Sequence, residues 1–203
     1  MHIGIATDIY GKQEGLDQLI FSLRSQGAEV SLISPYENSA SPGSGDEQEV
    51  YAAFVERCGH DHYSKKIFKV LHQDGCNVAI GFSAGASAMW RALADSSLKS
   101  LHHFLGFYPT RIRKHLDCFP QTPTTLVFPY FEKVVNVDEL IKEIAVRENI
   151  CCLKALYLHG FLNPLSENYS IAGKRDFTGV LSTPKILGDP VWCRKRLRAI
   201  CGE

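Results

Sequence analysis

The chain has 203 residues and sets 22 Lys and Arg against 22 Asp and Glu, for a formal net charge of zero. That balance gives no overall basic field for nucleic acid or an anionic membrane surface. With 45% hydrophobic and 22% charged residues, the composition is that of a globular domain able to bury its own core. Cys58, Cys76, Cys118, Cys151, Cys152, Cys193 and Cys201 are scattered, without a C-x-x-C pair. This spacing argues against a disulfide framework or a zinc site, and the expectation is reduced thiols in a cytoplasmic protein. The opening MHIGIATDIYG has no basic segment followed by a long apolar one, and no window approaches about 18 uninterrupted apolar residues. Neither a signal peptide nor a membrane span is expected.

In chain order, short apolar runs alternate with helical periodicity. Ile3 to Thr7 is a buried-type strand. Leu16, Leu19, Ile20 and Leu23 have helical spacing and place a helix over 15–26, stopped by Gly27. Ala28 to Ile33 is a second strand. Glu37 to Glu49, rich in Ser, Gly, Pro and acid, reads as a surface loop rather than a domain boundary. Helices are expected over 50–58 and 61–73, a strand over 76–81, a small-residue helix over 84–94, and strands over 101–107 and 125–128. An amphipathic helix follows over 137–148, capped near Asn136 or Asp138, then a last strand over 152–158 and a terminal helix over 191–200. The basic residues of that helix (Arg194, Lys195, Arg196, Arg198) read as a solvated face. The alternation implies right-handed crossovers and one α/β domain over 1–203, with a mostly parallel sheet covered by helices on both faces. About 17 residues, 108–124, separate two strands, which leaves no room for a large lid domain. In such sheets, chemistry gathers at the carboxyl ends of the strands.

One of those ends carries Gly81-Phe82-Ser83-Ala84-Gly85, a G-x-S-x-G pattern between a strand and a helix of small residues. The turn is so tight that the neighbours of the serine must be small, and it lifts the hydroxyl above the sheet. The Ala84 amide then faces the place where an oxyanion forms, with the helix N-terminus behind it. A serine hydroxyl needs a neighbouring base. His159 is the histidine that follows the last strand, where the α/β-hydrolase order places it. The acid should lie after the strand over 125–128. Glu132 is chosen over Asp138, which is better placed to stabilise the start of the next helix. A second oxyanion donor should come from Ile9 or Tyr10 after the first strand, with Asp8 either orienting the site or capping the helix near Gln13. Arg111 or Arg113, beyond Tyr108-Pro109, could hold a substrate carboxylate or simply be solvated.

Together these residues resemble the dienelactone hydrolase family over about 3–163. Asp8-Ile9-Tyr10-Gly11 is similar to its acid-Ile-Phe-Gly loop, Gly81 to Ala86 to its nucleophile elbow, Gly106-Phe107-Tyr108 to its strand-end segment, and His159-Gly160-Phe161-Leu162-Asn163 to its His-Gly-Phe-Met-Asn run. Pro129 to Val135 lines up with its Gly-x-x-Asp-x-x-Val turn, which puts Glu132 at the acid. The resemblance implies an α/β-hydrolase fold and hydrolysis of small esters, lactones or thioesters through an acyl-enzyme, without metal or organic cofactor. This chain differs in having Ser83 where the family's namesakes have cysteine, Glu for Asp, and Pro129 for glycine. A hydrolase-fold binding protein without turnover, and a peptidase or acyltransferase on the same fold, are the competing expectations.

Overall fold

A computed structural model describes residues 1–37, 45–95 and 97–203. Six strands, β1 (His2–Ala6), β2 (Glu29–Ile33), β3 (Val78–Phe82), β4 (His103–Phe107), β5 (Thr124–Phe128) and β6 (Ile150–Lys154), form one sheet in the order β2-β1-β3-β4-β5-β6. Every neighbouring pair is parallel. The registers set Ile5 beside Leu32 and Ile80, and Gly81 beside Ala6 and Gly106, so the carboxyl ends lie along one rim. β3, β4 and β5 are buried at every position, which is why their sequences read as unbroken apolar runs rather than alternating ones.

Helices cover both faces. On one lie α2 (Glu47–Arg57), α3 (Gly59–Gln73), α4 (Ala84–Ala92) and α5 (Val137–Ile144), whose Phe54, Tyr63, Met89 and Leu140 pack with Ala79, Phe104 and Leu126 of the sheet. On the other lie α1 (Glu14–Ser25), α6 (Ile171–Leu181), α7 (Pro184–Leu187) and α8 (Pro190–Cys201), whose Leu23, Phe177, Leu187 and Leu197 pack with Ile5, Ile80 and Val127. Among the described residues, no helix is long and apolar enough to cross a membrane. The segment between β4 and β5 holds only a 3-10 turn, Thr110–Lys114.

Several expected bounds are corrected. The stretch 37–49 was expected to be all loop, yet α2 already begins at Glu47, because the Asp46 carboxylate accepts a bond from the Gln48 amide at 2.7 Å and caps it. Residues 38–44 of that stretch lie outside the described residues. α5 ends at Ile144 rather than 148, since the chain turns there to start β6 and leaves Val146 in solvent. Asn136 is its cap, with Oδ1 accepting from Asp138 and Glu139. The last strand was expected over 152–158 and instead ends at Lys154. The apolar run beyond it rises over the rim, where Leu156 and Leu158 are exposed. α6 and α7 had no counterpart in the sequence reading.

Among the described residues, two other than glycine have positive φ: Ser83 (49°) and Tyr108 (41°). They follow directly on β3 and β4, the two central strands. Strain of this kind collects at functional sites.

Candidate active site

Ser83 is the N-cap of α4, but its hydroxyl makes no capping bond and is left for another partner. Small neighbours make the elbow possible. A Cβ on Gly81 would come within 2.6 Å of the Ala86 Cα, and one on Gly85 within 2.3 Å of the Thr7 carbonyl oxygen. The partner of the hydroxyl is His159, whose Nε2 lies 2.8 Å from Ser83 Oγ. The other ring nitrogen, Nδ1, meets Glu132 Oε1 in a short contact. Glu132 is largely sheltered, with 12% of its side chain exposed, and the imidazole stays more open at 25%. Asp138, the rejected acid, pairs with Lys154 at 2.7 Å instead. The structure thus brings Ser83, His159 and Glu132 into one line from three separate loops.

The loops are fixed from behind. Tyr130 N–H donates to the Tyr157 carbonyl at 2.7 Å, tying the loop of the acid to the segment that leads to the histidine. Asn168 donates to the His159 carbonyl at 3.1 Å, and Gly160, at φ 81°, turns the chain where a Cβ would strike Ser166. The Tyr108 ring packs against the imidazole with centroids 5.0 Å apart.

The surroundings of Ile9 and Tyr10, the two residues after β1 expected to offer an oxyanion donor, differ. The Tyr10 amide donates to Asp8 Oδ1 at 3.0 Å and is committed there. That bond occupies the Tyr10 amide and sets it apart from Ile9, the other residue expected to supply a donor from this loop. Ile9 is held in place by the Tyr36 hydroxyl, which donates to the Ile9 carbonyl at 2.5 Å. Ile9, Ser83 and Ala84 line one pocket. Asp8 does not cap α1. It is buried, and its Oδ2 accepts from Asn163 at 2.5 Å, which links the histidine loop to the loop after β1. In the sequence, Asn163 stands out only as part of the run after His159. The usable signal was an Asn four residues past a loop histidine, a residue that commonly closes turns, as its bond from the Leu165 amide shows.

Burial pushes the Asp8 carboxyl up to about 6, against the pull of the bonds from Asn163 and Tyr10 and of nearby His159. The folded state therefore holds this proton more tightly than an unfolded aspartate does, so Asp8 lowers stability as pH rises from about 4 to about 6. In urea melts at pH 4 and pH 7, native protein should show an added loss of up to about 3 kcal/mol that Asp8→Asn lacks. Equal pH dependence in the two proteins would contradict this account of Asp8.

The pocket over Ser83 has a volume of about 490 Å³. Part of its lining is basic. Arg111 donates from Nη1 to the Tyr51 hydroxyl at 3.2 Å, while its buried Nε has no partner. Ser87, one turn beyond Ser83 on α4, also has a buried hydroxyl without a partner. Arg113, which also lines the pocket, donates from Nη1 to the Thr110 carbonyl at 2.9 Å. His60 approaches Tyr51 at 3.2 Å, and burial together with Arg111 and Arg91 pushes it down to about 4, which leaves it neutral at pH 7. Phe131, Val134 and Leu158 add apolar surface to the lining. Nothing in the sequence assigns Ser87, Tyr51 or His60 to this pocket. No local pattern marks them, because they meet the serine only through packing of α2, α3 and α4.

A parallel sheet with helices on both faces and a serine at a strained strand-to-helix elbow has the α/β-hydrolase fold. No family model matches the sequence. The chain is 28% identical to the uncharacterized protein YczH of Bacillus subtilis (strain 168), over 83% of this chain and 84% of that one. Its structure is similar to that of the Klebsiella pneumoniae subsp. pneumoniae MGH 78578 protein described as "Putative Dienelactone Hydrolase", with a TM-score of 0.66 at 13% identity over 100% of this chain and 86% of that one. It is also similar to the dienelactone hydrolase of Anabaena variabilis ATCC 29413, with a TM-score of 0.54 at 14% identity over 80% and 78% of the two chains. At these identities the likeness is one of fold.

Proposed function

We propose that the protein is a serine hydrolase that cleaves small carboxylic esters, lactones or thioesters. The observation that carries this reading is the 2.8 Å approach of Ser83 Oγ to His159 Nε2, with Glu132 on the far nitrogen of the same ring. In this reading Ser83 Oγ bonds to the substrate carbonyl carbon as its proton passes to His159 Nε2. Glu132 holds the tautomer and stabilises the imidazolium, and the Ile9 and Ala84 amides take the charge that grows on the carbonyl oxygen. The bond to the leaving oxygen or sulfur then breaks and takes the proton from His159. Water enters, gives a proton to His159 and releases the acid, and Ser83 recovers its proton. The reading calls on no group beyond these side chains and amides.

A fluorophosphonate probe tests it. The expected result is stoichiometric labelling at Ser83, lost in Ser83→Ala. Folded protein that stays unlabelled at neutral pH would favour a binding protein without turnover.

The lining of the pocket extends the reading to the substrate. Unpartnered donors on Ser87 and Arg111 favour a group rich in acceptors, such as a carboxylate, with the apolar part of the molecule against Phe131, Val134 and Leu158. Arg111→Met should raise KM about 10- to 100-fold for an ester bearing a free carboxylate and leave the matching neutral ester within about 2-fold. Equal effects on both esters would remove Arg111 from substrate recognition.

A further inference from the structure

A second cavity, of about 180 Å³, lies between α1 and α6 on the face of the sheet opposite α4. Asp8 and Tyr108 are part of its lining, and Ser83 is not. Its walls are Leu16, Leu19, Phe82, Leu162 and Leu181, so most of what a guest would touch is hydrocarbon. An apolar cavity of about 150 Å³ in a protein core is enough to hold benzene. This one has room for a ring with a short arm.

The polar groups at its boundary are selective. The Thr178 and Ser182 hydroxyls are turned onto helix carbonyls, at 2.6 and 2.7 Å, and offer little to a guest. Asp8 already accepts from Tyr10 and Asn163. Gln13 is different: it belongs to the lining, and its Oε1 is buried without a partner. A buried acceptor left unpaired costs about 1–3 kcal/mol, which a guest with a donor would recover. Charge at the boundary is balanced, with the Lys174 ammonium on one side and the Asp8 carboxyl on another.

We propose that this cavity is a second ligand site, taking a neutral apolar molecule of one ring or a short chain with a single hydroxyl or N–H that donates to Gln13 Oε1. The occupant rests on Asp8, which holds the Tyr10 amide, and on Tyr108, which lines both this cavity and the serine pocket and packs against the His159 ring. It therefore sits where it can be sensed at the serine without competing for it.

Benzyl alcohol, with toluene as its donor-free partner, tests this on the full chain by calorimetry or ligand-detected NMR. Benzyl alcohol should bind saturably with one site per chain. Gln13→Leu should weaken it at least about 5-fold while toluene binding is kept or strengthened. Leu19→Trp, which fills the space, should abolish both with an unchanged circular dichroism spectrum. Absence of saturable binding, or undiminished binding in Leu19→Trp, overturns the site. Equal affinity of benzyl alcohol for native protein and Gln13→Leu overturns the assigned donor contact, a result that stands even if Leu19→Trp does not fold. None of these readings depends on turnover, so their failure and that of the hydrolase reading are separable.

Discussion

Replacing His159 with alanine is expected to lower kcat on an activated ester such as p-nitrophenyl acetate by about 10⁴- to 10⁶-fold, with the fold intact. The size follows from dependence: without the imidazole 2.8 Å away, the Ser83 hydroxyl has no acceptor for its proton. Glu132→Gln should cost less, about 10³- to 10⁴-fold, because the ring remains but loses the partner that fixes its tautomer. The double variant should be no slower than His159→Ala alone, since a carboxylate that acts through the ring has nothing left to act on. Two outcomes would break this account. One is His159→Ala within about 10-fold of native activity. The other is a double variant in which the two losses multiply, which would give Glu132 a role of its own.

Gly85→Ala is the substitution expected to do most damage for its size. The added Cβ would lie 2.3 Å from the Thr7 carbonyl oxygen and 2.6 Å from that of Ala6, so α4 crosses the end of β1 almost in contact. Neither carbonyl can yield cheaply. Thr7 N–H is bonded to Ile33 at 3.0 Å, and the Tyr63 hydroxyl sits between the Thr7 and Ile33 carbonyls at 2.9 and 2.8 Å. Forcing the helix off the strand should cost about 3 kcal/mol, which for a chain of this size lowers Tm by roughly 6–12 °C. Activity should fall as well, because Asp8 and Ile9 follow Thr7 directly, in the loop expected to offer an oxyanion donor. Gly179→Ala is the control. It sits within α6 with nothing inside 4 Å of its Cβ position, and it should stabilise by about 0.5–1 kcal/mol. Similar melting shifts for the two variants would show that helix propensity, not crowding at the crossing, governs Gly85.

The sequence was most legible where a single physical demand acted over a few residues. The buried strands over 3–7 and 125–128 announced themselves as apolar runs, and the elbow at Ser83 by the small residues its geometry requires. It was least legible where two demands met. Cys152 to Leu158 reads as one strand because Leu156 and Leu158 are apolar, but both are exposed. Leu158 lines the pocket over Ser83 rather than the core. α6 escaped notice because Gly173 and Gly179 interrupt its pattern. Gly173 is required there, since a Cβ would come within 2.7 Å of Phe161. Tyr10 and Ile9 are equivalent by position, and the bond from the Tyr10 amide to Asp8, which sets them apart, has no local signature in the sequence.

Ser83 stands on β3, with β1 on one side and β4 on the other, whereas the approach to His159 leaves β6, which has a neighbour only in β5. The nucleophile thus belongs to the best-protected part of the sheet and its base to a border. On gentle heating, amide exchange should quicken around 150–158 before it does around 78–82, and turnover should fade while most of the molecule is still folded. Thermal tolerance of the site is then decided at one margin of the scaffold, and gains made in its centre will not reach it.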